Sequence, residues 1–263
     1  MEKINKKAIL AVSFGTSYKD AEEKSINKIE DTLIKTFPDF EVRRAFTSEM
    51  IIKKLKKRDG IAIDNADAAL KRLEEDGFNE VYIVPTYVIG GVEYDILKKA
   101  AESYAPKFKL LKLGTPVLFD DASYLNIASL VKNELKEDLK SDEAVIFMGH
   151  GTDHQADTSY EKLQRAFDET GDSCIVATVE GSITLDDAIE KLKALKLKKV
   201  VLHPFMIVAG DHAKNDMAGD EVSSWKNTLK AEGFSVRCIV KGLGEYEKVQ
   251  ELISQKAQML IKA

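Results

Sequence analysis

The sequence predicts an α/β protein made of two similar doubly wound halves with parallel sheets. Three observations carry this. Short apolar runs alternate with longer segments of helical spacing along the whole chain. The runs are rich in Val, Ile, Leu and Phe without polar alternation, as strands buried on both faces of a parallel sheet read. The chain also echoes itself. Val81–Glu93 resembles Val200–His212, with Pro85 matching Pro204, Gly91 matching Gly210 and Glu93 matching His212. Ser13-Phe-Gly-Thr16 likewise stands beside Gly149-His-Gly-Thr152.

The strand-like runs are 7–14, 41–46, 80–84, 108–113, 143–148, 173–179, 199–206 and 235–240. Helices are expected over 19–36, 48–57, 64–76, 93–103, 121–139, 158–169, 184–195, 213–232 and 245–262. In 121–139 the spacing of Leu125, Ala128, Leu135 and Leu139 is helical. Met217, Trp225 and Leu229 fall on one face of 213–232 and read as core. The expected halves are 1–120 and 140–263, joined by the helix at 121–139. In open α/β sheets ligands bind at the carboxyl ends of the strands, so the active site is expected there, in the cleft between the halves.

Composition narrows the function. With 263 residues and 44% hydrophobic side chains the chain can fill a sizeable core. Its net charge of −5 argues against a nucleic-acid partner, which needs a basic surface. No apolar run approaches the roughly 18 residues of a membrane span. The charged segment Met1–Lys7 leads into a stretch of strand length with no cleavage site after it, so no signal peptide is read. The two isolated cysteines, Cys174 and Cys238, suggest thiols in a reducing compartment, and the cytoplasm is the expected location. A homo-oligomer is compatible with the chain.

The strand ends hold the candidate chemistry. His150 follows strand 143–148 between Gly149 and Gly151, which let the backbone turn and leave the imidazole uncrowded. Glu180 follows strand 173–179 directly, where a carboxylate needs a partner or a cation. His212 follows strand 199–206 at the start of a helix, after Asp211 as its expected cap. Each residue has a plain alternative: a hydrogen-bonded turn histidine, a loop glutamate reaching water. Together, two histidines and a carboxylate suit Co, Fe, Ni or Zn with coordination positions left open.

His203, inside an apolar strand, reads as packed or as a support to ligands. His154, in a polar loop, reads as exposed. Glu93, the repeat partner of His212, reads equally as a proton or metal handler and as a first-turn glutamate complementing the helix dipole. The turn Ser13-Phe-Gly-Thr-Ser17 lacks the glycines and lysine of a phosphate loop, so no nucleotide is expected. Ser13, Gly15, Thr16 and Ser17 are instead candidates to hold a substrate carboxylate, with Gly151 as a further substrate contact.

The motif residues resemble a known family. Gly149-His-Gly-Thr152, the Glu180-Gly181 turn and the block His203–Asp220 are similar to the anaerobic cobalt chelatases of cobalamin biosynthesis, and Ala11–Ser17 also fits. These are ATP-independent class II chelatases, related to protoporphyrin ferrochelatase. The resemblance covers essentially the whole chain. It implies insertion of Co²⁺, as substrate metal, into sirohydrochlorin with release of two protons. It implies a metal set of His150, Glu180 and His212. His150 or His212 would take the protons, with Glu93 as a relay. A chelatase for another metal, such as a sirohydrochlorin ferrochelatase, and a non-catalytic tetrapyrrole or metal carrier are the competing readings.

Overall fold

A computed structural model describes residues 5–171 and 173–263, so the first four residues of the charged N-terminal segment lie outside it. The chain divides into two compact units. One comprises the residues up to Val117 together with Glu247–Ala263; the other is Leu118–Tyr246.

The first unit runs β1 (Lys7–Ser13), α1 (Lys19–Lys24), α2 (Ile26–Thr36), β2 (Glu41–Phe46), α3 (Glu49–Asp59), α4 (Ala66–Glu75), β3 (Glu80–Pro85), α5 (Val92–Tyr104) and β4 (Leu110–Leu113). Its four parallel strands lie in the order β2-β1-β3-β4. The second unit runs α6 (Asp121–Leu135), β5 (Glu143–Gly149), α7 (Thr158–Glu169), β6 (Cys174–Thr178), α8 (Leu185–Ala194), β7 (Lys199–Pro204), α9 (Trp225–Ala231) and β8 (Ser235–Cys238). Its order, β6-β5-β7-β8, is the same one, again all parallel. The repeat extends to register: Val12 stands opposite Pro85, and Met148 opposite Pro204. The last helix, α10 (Glu247–Lys262), belongs to the first unit.

The lack of alternation in the strands has the expected cause. Ala8, Leu10 and Val12 of β1 pack on one side with Val81 and Ile83, while Ile9 and Ala11 are equally buried on the other. In β5, Ala144, Ile146 and Met148 join Ile175, Ala177, Val200 and Leu202, with Val145 and Phe147 buried opposite. Both faces of each sheet are covered, so both sets of side chains are apolar.

Four expected boundaries change. The helix at 121–139 is not a connector: it ends at Leu135 and belongs to the second unit, where the Tyr124 hydroxyl meets Ser159 Oγ at 3.1 Å. Its buried stripe is Tyr124, Ile127, Ala128, Val131 and Leu135, whereas Leu125 is exposed. The C-terminal half does not run to the chain end, because α10 returns to the first unit and buries Val249, Ile253 and Ala257 at helical spacing. Burying Val249 and Ile253 contributes about 1.5–3 kcal/mol each, enough to fix the helix there. The expected helix 19–36 is broken at Ser25, whose hydroxyl donates back to the Ala21 carbonyl. The expected helix 213–232 is two pieces. A π turn, Ala213–Met217, closes with Gly219 N–H donating to the Asn215 carbonyl (2.9 Å), and Ser224 caps a new helix, α9. Met217, Trp225 and Leu229 are nonetheless all core.

Candidate metal centre

Two loops at the carboxyl edge of the second sheet are bonded to each other through their backbones. Gly149 ends β5, and His150 projects just beyond it. Val179 N–H donates to the Gly149 carbonyl (3.1 Å) and Glu180 N–H to the His150 carbonyl (2.8 Å). This approach needs glycine. A Cβ at Gly151, which has φ +79°, would lie 2.2 Å from the Gly181 nitrogen; one at Gly149 would lie 2.3 Å from the Tyr160 ring. Asp157, buried, clamps both loops. Its Oδ1 accepts from Thr152 N–H (3.1 Å), and its Oδ2 from Ser182 N–H (2.8 Å) and Ser182 Oγ (2.7 Å).

The third residue arrives on the segment after β7. Leu243 N–H and Gly244 N–H donate to the Met206 and Ile207 carbonyls at 2.8 and 2.9 Å, which hold that loop in place. Asp211, expected as a cap, is already helical, and its Oδ1 accepts from Asn215 Nδ2 at 3.0 Å. His212 lies one residue further on.

One donor atom each from His150, Glu180 and His212 lie within 4.8 Å of one another. The two rings are perpendicular, with centroids 4.7 Å apart. Two donors sharing an ion at about 2.1 Å are at most about 4.2 Å apart. Three donors cannot all stand opposite one another, so gathering them on one ion takes a closing movement of about an ångström. The side chains are free to make it, being 46%, 59% and 29% exposed.

The unused ring nitrogens are fixed. His150 Nδ1 donates to the Gly151 carbonyl (2.8 Å), since a carbonyl can only accept. His212 Nδ1 lies 2.6 Å from Asp216 Oδ2 and donates to it. In the neutral rings this tautomer leaves each Nε2 with its lone pair for a metal, and the Asp216 carboxylate strengthens His212 as a donor. Sequence reasoning missed Asp216 and Asp157. The four-residue spacing from His212 to Asp216 on a helical segment was the available signal for the first. Asp157 carried none, because its partner Ser182 comes from another loop.

The remaining candidates fall elsewhere. His154 is half-buried, and its Nδ1 accepts from Ala156 N–H (3.1 Å), capping a short 3-10 turn. His203 is wholly buried. Its Nδ1 donates to the Pro204 carbonyl (2.9 Å) and its Nε2 accepts from the Tyr246 hydroxyl (2.8 Å). Burial pushes its pKa down to about 4 from an ordinary 6.5. The folded state holds the neutral ring, so this contribution to stability is complete above pH 6.5 and is lost as pH falls towards 4. We expect the wild type to lose about 3 kcal/mol more over that window than His203→Gln, which cannot titrate. Urea unfolding at several pH values measures this, and parallel curves for the two proteins would contradict it.

Ser13, Gly15, Thr16, Ser17 and Glu93 belong to the first unit. There the echo holds in detail. Thr47 N–H and Ser48 N–H donate to the Ser13 and Phe14 carbonyls (2.9 and 3.1 Å), as Val179 and Glu180 do to Gly149 and His150. Gly15 has φ +97°, matching Gly151, and Thr16 Oγ1 accepts from Tyr18 N–H as Thr152 Oγ1 does from His154 N–H, both at 3.1 Å. Phe14, Ser48 and Glu93 thus occupy the positions of His150, Glu180 and His212. The Ser13 hydroxyl pairs with that of Thr86 (2.8 Å), and Ser13, Thr16 and Ser17 are buried. Glu93 is half-buried in the first turn of α5, where its charge adds to burial in raising the Tyr87 hydroxyl pKa.

A twofold-repeated parallel α/β fold with an open three-donor group at its strand ends defines a class of protein suited to handling a divalent ion. Its particular family follows from comparison. The family model for cobalt chelatase (CbiK) matches residues 7–261, and the chain belongs to that family. It is 38% identical over 247 residues to the sirohydrochlorin cobaltochelatase of Salmonella typhimurium, covering 94% of this chain and 93% of that one. It is 32% identical over 249 residues to sirohydrochlorin cobaltochelatase CbiKC of Nitratidesulfovibrio vulgaris, covering 93% and 86%. Among solved structures, SirB from Bacillus subtilis with Fe³⁺ shares the fold at TM-score 0.64 and 14% identity, covering 97% and 95%. CbiX, described as the terminal enzyme of siroheme biosynthesis in denitrifying bacteria, shares it at TM-score 0.54 and 12% identity, covering 96% and 99%.

Proposed function

We propose that this chain inserts Co²⁺ into sirohydrochlorin without a nucleotide, with His150, Glu180 and His212 as the residues that hold the incoming ion. The observation that carries this is the convergence of the three donors within 4.8 Å at the strand ends. Two neutral imidazoles and one carboxylate cancel only part of the ion's charge and leave positions open for pyrrole nitrogens. As each protein donor is exchanged for a ring nitrogen, two N–H protons leave, balancing the two charges that Co²⁺ brings. An imidazole released from the ion has a free Nε2, so His150 and His212 are the bases assigned to those protons. Glu93 is assigned as a proton relay. Carboxylate binding at the Ser13–Ser17 turn would fall to backbone amides, including that of Gly15, because its hydroxyl side chains are buried. Gly151 serves the site by letting the His150 loop approach Gly181. Among the described residues no helix is long and apolar enough to cross a membrane, and Cys174 and Cys238 form no disulfide.

A steady-state absorbance assay with sirohydrochlorin and Co²⁺, Fe²⁺ or Ni²⁺ tests the proposal. Co²⁺-dependent conversion of the ring supports it, and no conversion with any ion overturns it. Glu180→Gln keeps the shape and removes the only anionic donor of the three. Its rate should fall most at low Co²⁺ and recover partly with excess metal. A loop glutamate reaching water would change the energy by no more than about 0.5 kcal/mol. Superimposable Co²⁺ titrations for the two proteins would remove Glu180 from the site.

A further inference from the structure

The two units differ at one point of their shared plan that bears on the site. In each, the residue ending the second strand donates its N–H to a carbonyl further along, closing the loop before the crossover helix. In the second unit Thr178 N–H donates to Ile183 (2.7 Å), so only the short Glu180 turn lies between. In the first unit Phe46 N–H donates to Asp64 (3.0 Å), and the whole of α3 lies between. Helix α3 is therefore an excursion from the carboxyl edge of the first sheet, at the place where the second unit carries a proposed ligand. Arg58 Nη2 ties its far end back to that edge by donating to the Ser17 carbonyl (2.8 Å).

The excursion does little for the core. Leu55 is the buried residue of α3, while Met50 is 70% exposed, and Phe14 at the adjoining end of β1 is 44% exposed. Its charge runs against that of the protein. Lys53, Lys54, Lys56, Lys57 and Arg58 stand against Glu49 and Asp59, on a chain of net charge −5. Arg58 pairs with Asp59 (2.6 Å) and Lys53 lies 3.9 Å from Glu49. Lys54, Lys56 and Lys57 are exposed and have no anionic partner among the described residues.

We infer that α3 is a recognition element for the carboxylates of the macrocyclic substrate, its unpaired lysines taking the acidic arms and the exposed Met50 and Phe14 meeting the apolar ring. The inference rests on the chelatase reading above. It follows from complementarity: a flat apolar ring edged with carboxylates matches a strand-end surface of uncovered apolar side chains beside unpaired cations. Each exposed contact is weak, so the three lysines act as a set.

The test is the variant Lys54→Gln/Lys56→Gln/Lys57→Gln, which keeps helix propensity. Its control is Lys193→Gln/Lys196→Gln/Lys198→Gln, the same charge change at the opposite, amino edge of the second sheet. Metal-free sirohydrochlorin is titrated by absorbance, and KM and kcat are measured at saturating Co²⁺. The α3 variant should show Kd and KM raised about tenfold, a flatter salt dependence of Kd, and kcat within about twofold of wild type. Unchanged Kd and KM, or an equal rise in the control, would overturn the inference. If the wild type turns over and the variant matches it, the helix loses its role and the chelatase reading stands. If the wild type binds the ring without inserting metal while the variant still binds it more weakly, the chelatase reading falls and the helix keeps its role.

Discussion

His150→Ala and His212→Ala should each leave a folded protein that inserts almost no metal at limiting Co²⁺. Each removes one of the three donors that converge at the strand ends. Loss of a residue that merely orients a ligand costs about 10–100-fold in metal affinity, so loss of a donor should exceed about 100-fold. Folding should survive, because both side chains are substantially exposed and neither contributes to the core clusters. Circular dichroism and a Co²⁺ titration of initial rate measure the two effects together. Near-normal turnover in both variants would remove the histidines from the site.

Gly151→Ala should unfold the site from its backbone. The added Cβ would meet the Gly181 nitrogen at 2.2 Å and the Glu180 carbonyl carbon at 2.8 Å, in a backbone conformation of φ +79°. Both neighbours are backbone and cannot swing aside, so the Glu180 turn must move and its bond to His150 must break. Strain and clash together should cost about 2–4 kcal/mol, a fall of about 5–12 °C in Tm, with loss of Co²⁺ binding. Gly233→Ala is the internal comparison. It has φ +86° but nothing within 4 Å of its Cβ, so it carries the conformational cost alone, about 1 kcal/mol. Equal losses in the two variants would show that the close approach of the two loops does not matter.

How far the chain could be read without its structure follows from the range of the interactions involved. The eight apolar runs became eight strands because burial on both faces imposes a pattern within each strand. The repeat was visible because Pro85 and Pro204 sit at the same register and end their strands alike. His150 and Glu180 were found for a similarly local reason: glycines beside them mark turns that put a polar side chain at a strand end. His212 is legible as well, because the break at Gly219 and the new start at Ser224 that shorten its helix lie beyond it.

Other features depended on partners distant in sequence. The stripe on α10 declared an amphipathic helix but carried no sign of which unit it would cover, since Val249 and Ile253 can bury against any apolar surface. Asp157 looked like one more acid in a polar loop until Thr152 and Ser182 closed around it from two directions. That α3 is an excursion with no counterpart emerged only from the bond between Phe46 and Asp64, set beside the one between Thr178 and Ile183. Periodicity and turn chemistry are encoded within a few neighbouring residues, and they set the strands, the repeat and two of the three candidate donors. The convergence of donors to within 4.8 Å, the clamp on their loops and the return of the last helix arise from contacts between segments far apart in the chain, which folding alone brings together.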